Sequence, residues 1–276
     1  MLYNYIKYNY RKSIRRYTME QNSVKTAVIT GASSGLGREY VKAIVEHYTE
    51  INQFWLIARR YDKMKELADM FPQKDFRIIA LDLSQTESFC EYQKLLEENK
   101  PDIKLLINNS GFGKLGFFDD IPLEAQTGMV DVNVRALTAM TRISLDYMNS
   151  GSVILNVCSI AAFIPNPRMA VYCSTKAFVF SFSKALREEL KRRNINVLAA
   201  CPGPMDTEFL ALADIPKGAS SLFDFCPRVD PAVMAEKSLE RAFHGKAVYT
   251  NKFIYKLYRL LCKLVPHNWL MKKFTA

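Results

Sequence analysis

Two hydrophobic periods take turns along this chain. Short runs in which almost every residue is apolar, such as Ala27-Val28-Ile29 and Val197-Leu198-Ala199-Ala200, give way to longer stretches in which apolar residues return every three or four positions, as in Leu36, Tyr40, Val41, Ile44 and Val45. The first period predicts strands at 26–30, 53–58, 76–81, 103–108, 152–157, 197–201 and 247–250, and the second predicts helices near 35–47, 61–71, 84–98, 122–148, 170–193 and 231–243. Strands without polar alternation are buried on both faces, as in a parallel sheet. Strand and helix alternating throughout then predict an α/β fold: a single doubly wound parallel sheet flanked by helices on both faces.

The first strand runs directly into Thr30-Gly31-Ala32-Ser33-Ser34-Gly35-Leu36-Gly37, and a helix follows. Strand, glycine turn and helix place backbone N–H groups and a helix N-terminus where a pyrophosphate can sit, in the manner of a Rossmann-like dinucleotide site. Glycine removes the Cβ that would block the anion. The spacing is G-x-x-x-G-x-G, not the commoner G-x-G-x-x-G. Taken alone, the run also fits a plain Gly/Ser-rich turn.

Ligands of a doubly wound sheet lie outside the C-terminal strand ends. Six consecutive strands of this chain end in turn or polar residues: the glycine turn, Ala58-Arg59-Arg60, Leu81-Asp82-Leu83, Asn108-Asn109-Ser110-Gly111, Cys158-Ser159 and Pro202-Gly203-Pro204-Met205-Asp206-Thr207. Tyr172 and Lys176, at i and i+4, share one helix face.

In these residues the chain resembles the short-chain dehydrogenase/reductase family, and among its members the hydroxysteroid dehydrogenases. The turn 30–37, the 108–111 segment, Asn133, Ser159, Tyr172-x-x-x-Lys176 and Pro202-Gly203…Thr207 stand in the family's order across residues 24–250. Each alone has an ordinary structural reading, Ser159 as a cap, Tyr172 as a buried phenol, Asn133 as a backbone bridge; together they are specific. The resemblance implies Tyr172 as acid/base, Lys176 lowering its pKa and holding the nicotinamide ribose, Ser159 bonding the substrate oxygen, and Asn133 anchoring a water that connects Lys176 to solvent. It implies cofactor contacts from Gly31, Ser33, Ser34, Gly35, Leu36, Gly37, Asp82, Leu83, Asn109, Gly111, Tyr172, Lys176, Pro202, Gly203 and Thr207. Ser110 and Cys158 stand where alanine and serine are commoner; both are small.

An acidic residue ending the second strand would bind a ribose 2′-OH and repel a 2′-phosphate. This chain has Arg59-Arg60 there and no acid before Asp62. Because arginine engages phosphate bidentately, the reading favours NADP(H), with Arg59 the lead contact and Ser33 a helper. The segment 208–230, in the place of the family's substrate lid, is rich in Phe and Leu, and Phe112, Phe117, Phe118, Phe163, Ile164 and Met205 are further candidates for an apolar wall. The expectation is oxidation or reduction of a secondary alcohol or ketone on a lipophilic substrate of hydroxysteroid or bile-acid type. A 3-ketoacyl or general carbonyl reductase is the alternative. A catalytically idle NADP(H)-sensing protein, or a membrane adaptor on the same fold, are alternatives of another kind.

Composition narrows the picture. The net charge of +10 sits at the ends: residues 1–18 carry five Lys and Arg and residues 251–276 carry six, with no acid in either stretch, leaving the rest near neutral. That argues against a nucleic-acid face on the domain. No run of about 18 apolar residues spans a membrane, and no secretory signal opens the chain. Six cysteines without a Cys-x-x-Cys pair read as reduced thiols of a cytoplasmic protein, and His47, His244 and His267 lie too far apart to suggest zinc. The resulting division is a basic extension over 1–23, with Met19 an alternative start, a catalytic domain over 24–250, and a basic amphipathic tail over 251–276. In the tail Lys252, Lys256, Arg259 and Lys263 repeat at helical spacing beside Phe253, Leu257, Leu260, Leu261 and Leu264. That tail has three equal readings: a peripheral membrane contact, a cover for the substrate mouth, or a subunit interface. The family resemblance implies a homodimer or homotetramer.

Overall fold

A computed structural model describes residues 24–213 and 226–273. The expected N-terminal extension and the stretch of the expected lid over 214–225 lie outside the described residues. Seven strands form one parallel sheet: β1 (Lys25–Thr30), β2 (Ile51–Ala58), β3 (Asp75–Ala80), β4 (Asp102–Asn108), β5 (Val153–Val157), β6 (Asn196–Ala200) and β7 (Val248–Tyr249), in the order β3-β2-β1-β4-β5-β6-β7. The strand order reverses between β1 and β4, which opens a crevice at their C-terminal ends.

Period-two alternation divides each strand between two cores. Ala27, Ile29, Leu56, Leu105 and Leu198 face α1 (Gly35–His47) and α8 (Pro231–Phe243). Val28, Trp55, Ile57, Leu106, Ile154 and Val197 face α3 (Glu87–Asn99) and α5 (Leu137–Ser144). Two polar pairs sit inside these layers: the Tyr40 and Ser238 hydroxyls share a hydrogen bond of 2.8 Å between α1 and α8, and the Trp55 indole donates to Gln53 Oε1 at 3.1 Å.

The remaining helices are α2 (Tyr61–Asp69), α4 (Leu123–Val130), α6 (Ala170–Leu190), α7 (Glu208–Leu212), α9 (Phe253–Leu264) and α10 (His267–Lys273). The long helix expected over 122–148 is interrupted: between α4 and α5 the backbone widens into a π-helical segment, Asp131–Ala136. No glycine or proline inside that segment announces the change. The helix expected to reach 193 ends at Leu190 and tightens into a 3-10 turn, stopped by Asn194 in the left-handed conformation (φ 52°). The helix expected from 84 starts at Glu87, because the Asp82 carboxylate folds the intervening turn by accepting the Ser84 N–H and O–H at 2.9 and 2.8 Å.

Candidate active site and cofactor cleft

Thr30 closes β1 and ties the turn to the next strand end. Its Oγ1 accepts the Asn109 and Ser110 N–H groups at 2.9 and 3.0 Å. The Asn109 amide returns the contact, donating to the Thr30 and Gly31 carbonyls at 3.0 and 3.2 Å. Gly31 needs its left-handed φ of 66° here. Gly37 is fixed by space: a Cβ there would stand 2.2 Å from the Gly31 carbonyl oxygen. Gly37→Ala should therefore push α1 from the turn and lower stability by about 1–3 kcal/mol. An unchanged urea midpoint would show that the turn can yield.

At the start of α1, no side chain caps the first-turn N–H groups, and that turn contains no acid. These donors face a cavity of about 700 Å³ that runs from Gly31 and Gly35 past Asn109 to Ser159, Tyr172 and Tyr258. An anion already stands at its edge. The Glu208 carboxylate lies 2.8 Å from the Arg60 guanidinium, which also donates to Ser33 Oγ at 3.3 Å. Glu208 bonds Ser34 as well, and its carboxyl is held below the usual carboxylate range, chiefly by Arg60. The glycine cradle and the uncapped helix start fit a dinucleotide diphosphate.

At the far end of the cavity β5, α6 and the π-helical segment converge. Tyr172 and Lys176 occupy successive turns of α6, both buried. The Tyr172 hydroxyl is hydrogen-bonded to Ser159, whose Oγ also accepts the Ala161 N–H at 3.1 Å. The Tyr172 ring packs on Gly113, where a Cβ would come within 2.9 Å of it, and stands 5.7 Å from the Phe209 ring. Lys176 Nζ donates to the Val157 carbonyl at 3.0 Å and lies 5.8 Å from the Tyr172 ring centroid.

Burial pushes the Tyr172 hydroxyl well above the ordinary tyrosine value, against the Ser159 hydrogen bond. Burial likewise pulls Lys176 below the ordinary lysine value, against the Cys158 and Cys201 thiols. In this cleft, then, desolvation is the largest cause of both shifts. The expected lowering of the Tyr172 pKa by Lys176 is not what the protein alone produces. The ground state is a neutral phenol holding its proton.

Asn133 projects from the π-helical segment and clamps three elements. Its Nδ2 donates to the Phe112 carbonyl at 2.9 Å and to Thr175 Oγ1 at 3.0 Å, and its Oδ1 accepts the Phe112 N–H at 3.0 Å. Gly111 separates it from the lysine: a Cβ there would lie 2.8 Å from Asn133 Oδ1 and 3.4 Å from Lys176 Nζ.

Ser33, Ser34, Leu36, Arg59, Asp82, Leu83, Pro202, Gly203 and Thr207 also line the cavity, whereas Gly37 and Asn133 stand behind its wall. Arg60 rather than Arg59 is the arginine bonded to Ser33. Arg59 instead faces Asp82: burial raises that carboxyl, but the two Ser84 hydrogen bonds and the Arg59 charge bring it below its ordinary value. Of the proposed apolar wall, Phe112, Ile164 and Met205 line the cavity. Phe117 and Phe118 line a smaller neighbouring cavity, and Phe163 packs into the core against Phe180 and Tyr258.

Phe209 of the expected lid lines the cavity, whereas sequence reading missed Lys114, Met169 and Tyr258 as lining residues. It also missed the buried chain behind the site. Asn108 Nδ2 donates to Thr141 Oγ1 and Asn156 Oδ1 at 2.9 and 2.8 Å, and Asn156 passes the link to Ser183 at 2.9 Å. Two asparagines inside apolar strands were the available signal, since buried amides require partners.

Comparison with known proteins agrees with this geometry. Residues 25–215 match the short chain dehydrogenase family. The very-long-chain 3-oxoacyl-CoA reductase of Rattus norvegicus is 33% identical over 185 residues, 64% of this chain and 58% of the rat protein. A short-chain dehydrogenase from Sphingobium yanoikuyae, solved with NADPH, superposes with a TM-score of 0.73 at 24% identity, covering 91% of this chain and 96% of that one. The 3-ketoacyl-(acyl-carrier-protein) reductase of Brucella melitensis, solved with NADH, gives 0.70 at 25% identity, covering 83% and 96%. With the family matched across β1–β6, the glycine turn and the Tyr172–Lys176 helix, this chain belongs to the short-chain dehydrogenases, a family of oxidoreductases.

Proposed function

We propose that this protein is an NADP(H)-dependent oxidoreductase that interconverts a ketone and a secondary alcohol on a lipophilic substrate. The observation that carries the reading is the buried Tyr172 hydroxyl, bonded to Ser159 and set one helical turn from Lys176, in the same cavity as the glycine cradle. The nicotinamide cofactor supplies the hydride when bound.

The chain's own residues do the rest. Tyr172 keeps its proton at working pH and is placed to give it to a carbonyl oxygen. Ser159 offers its hydroxyl to the same oxygen as negative charge builds there. Lys176 brings a positive charge near the phenol that stabilises it as the proton leaves. Asn133 positions rather than reacts, locking the 111–112 backbone against Thr175 of α6. Arg59 and Arg60, which follow β2 with no acid before Asp62, support a 2′-phosphate over a free 2′-OH.

Phe112, Ile164, Met169, Met205 and Phe209 give the substrate end an apolar wall. Such a wall suits a steroid or an acyl chain. The rat and Brucella relatives, both named for 3-oxoacyl reduction, favour a long-chain 3-oxoacyl thioester over the hydroxysteroid suggested by motif alone. The test is consumption of NADPH, with NADH in parallel, by the purified full chain on 3-oxoacyl thioesters of increasing length, keto-steroids, keto-bile acids and small ketones. Turnover that rises with acyl length and prefers NADPH is expected. Tight NADPH binding without turnover on any carbonyl would overturn the reading in favour of a cofactor sensor.

A further inference from the structure

We propose that α9 and α10 seat this protein on the surface of an anionic lipid bilayer. At 3.6 residues per turn α9 divides into three faces. Tyr255, Tyr258 and Cys262 turn inward: Tyr255 donates to the Pro227 carbonyl at 2.7 Å, and Tyr258 lines the main cavity. Lys252, Lys256, Arg259 and Lys263, spaced four, three and four apart, form a cationic face. Phe253, Leu257, Leu260 and Leu264, with the same spacing and flanked by Ile254 and Leu261, form an apolar stripe in which every side chain is exposed. Phe253 is 79% and Leu264 74% exposed, and Trp269 of α10 is 59% exposed.

A water-facing helix would have placed charges where these six apolar side chains stand. An apolar stripe flanked by cations, with an amphipathic tryptophan beyond it, matches a helix lying in the plane of a headgroup region. No described helix is long and apolar enough to cross a membrane, so the contact is with its surface. Charge selects the occupant. The segment 251–276 has six Lys and Arg and no acid, which complements anionic headgroups. Antiparallel pairing of α9 with a second copy would set two cationic faces on the same side with nothing to offset them. Because Tyr258 belongs to both α9 and the cavity wall, docking sets that cavity beside the bilayer. The use of that placement, entry of a lipophilic substrate from the membrane, rests on the function proposed above; the docking itself does not.

The experiment uses the full chain with vesicles of phosphatidylcholine, alone or mixed with phosphatidylglycerol, followed by sedimentation and tryptophan emission. Trp55 is fully buried in the sheet, so a change on binding reports Trp269. Sedimentation with the anionic vesicles and a blue shift are expected. Leu257→Glu with Leu260→Glu should abolish both. Lys256→Gln with Lys263→Gln should weaken binding more than about tenfold, at roughly fivefold per charge. Both variants should keep the folded circular dichroism spectrum and turnover on a water-soluble ketone. No binding to anionic vesicles, or binding unchanged in both variants, overturns the proposal. So does a concentration-dependent dimer that Leu257→Glu with Leu260→Glu dissolves while vesicles bind nothing, since the stripe then belongs to a second copy. Vesicle binding is read without turnover, so an error in the substrate reading leaves this result standing.

Discussion

Tyr172→Phe should lower kcat for ketone reduction about 10³-fold while leaving NADPH affinity within about twofold. The substitution removes one oxygen and keeps the ring that packs on Gly113 and Phe209. The Ser159 hydroxyl loses one partner and retains the Ala161 N–H. What disappears is the proton that must reach the carbonyl oxygen as the hydride reaches the carbon. A factor near 10³ corresponds to about 4 kcal/mol of barrier. The pH profile gives a second readout. Burial raises the Tyr172 pKa and lowers that of Lys176, so the lysine is the first of the pair to lose its proton as pH rises. The reduction rate should be greatest where the phenol is protonated and the lysine still charged. It should fall on an alkaline limb below the ordinary lysine value of about 10.4, as Lys176 loses its proton. An unchanged kcat, or an equal loss of NADPH binding, would mean that the hydroxyl serves packing or cofactor binding instead.

The sheet was legible because its strands satisfy two cores at once. Val28 and Ile29 face opposite layers, and an all-apolar run is the only pattern that serves both. The glycine turn, Ser159 and the Tyr172–Lys176 pair were legible for a different reason. Each sits at a strand end or on one helix face, where backbone geometry alone brings distant residues together. What the sequence concealed depends on competition between terms of similar size. The π-helical segment at Asp131–Ala136 carries no breaker residue; it is held by Asn133, whose three hydrogen bonds reach Phe112 and Thr175 across the fold. The burial that raises the Tyr172 pKa in the protein alone was not legible, because charge attraction is visible in a list of residues whereas burial is not. Tyr258 was missed as a wall residue because helical periodicity separates inward from outward faces but says nothing about which cavity the inward face meets.

Arg59→Asp should reverse the cofactor preference. The side chain is exposed, follows β2 directly and lines the cavity near Asp82, so the substitution disturbs no buried packing. Losing a bidentate, charge-assisted contact and placing a carboxylate against the 2′-phosphate should raise KM for NADPH about 10²-fold, since each such hydrogen bond contributes about 1.5–3 kcal/mol. For NADH the same carboxylate can accept from the 2′-OH, so its KM should stay level or fall. Arg60 provides the control. Its guanidinium is shared between Ser33 and Glu208 in an exposed ion pair that contributes little to stability. Arg60→Ala should therefore cost NADPH binding less, because Glu208 already competes for that charge. Larger losses in Arg60→Ala than in Arg59→Asp would transfer the leading contact to Arg60, the arginine that the structure places beside Ser33. Equal changes for NADPH and NADH in both variants would remove the 2′-phosphate from the argument, leaving the cradle of Gly31 and Gly35 to bind either cofactor alike.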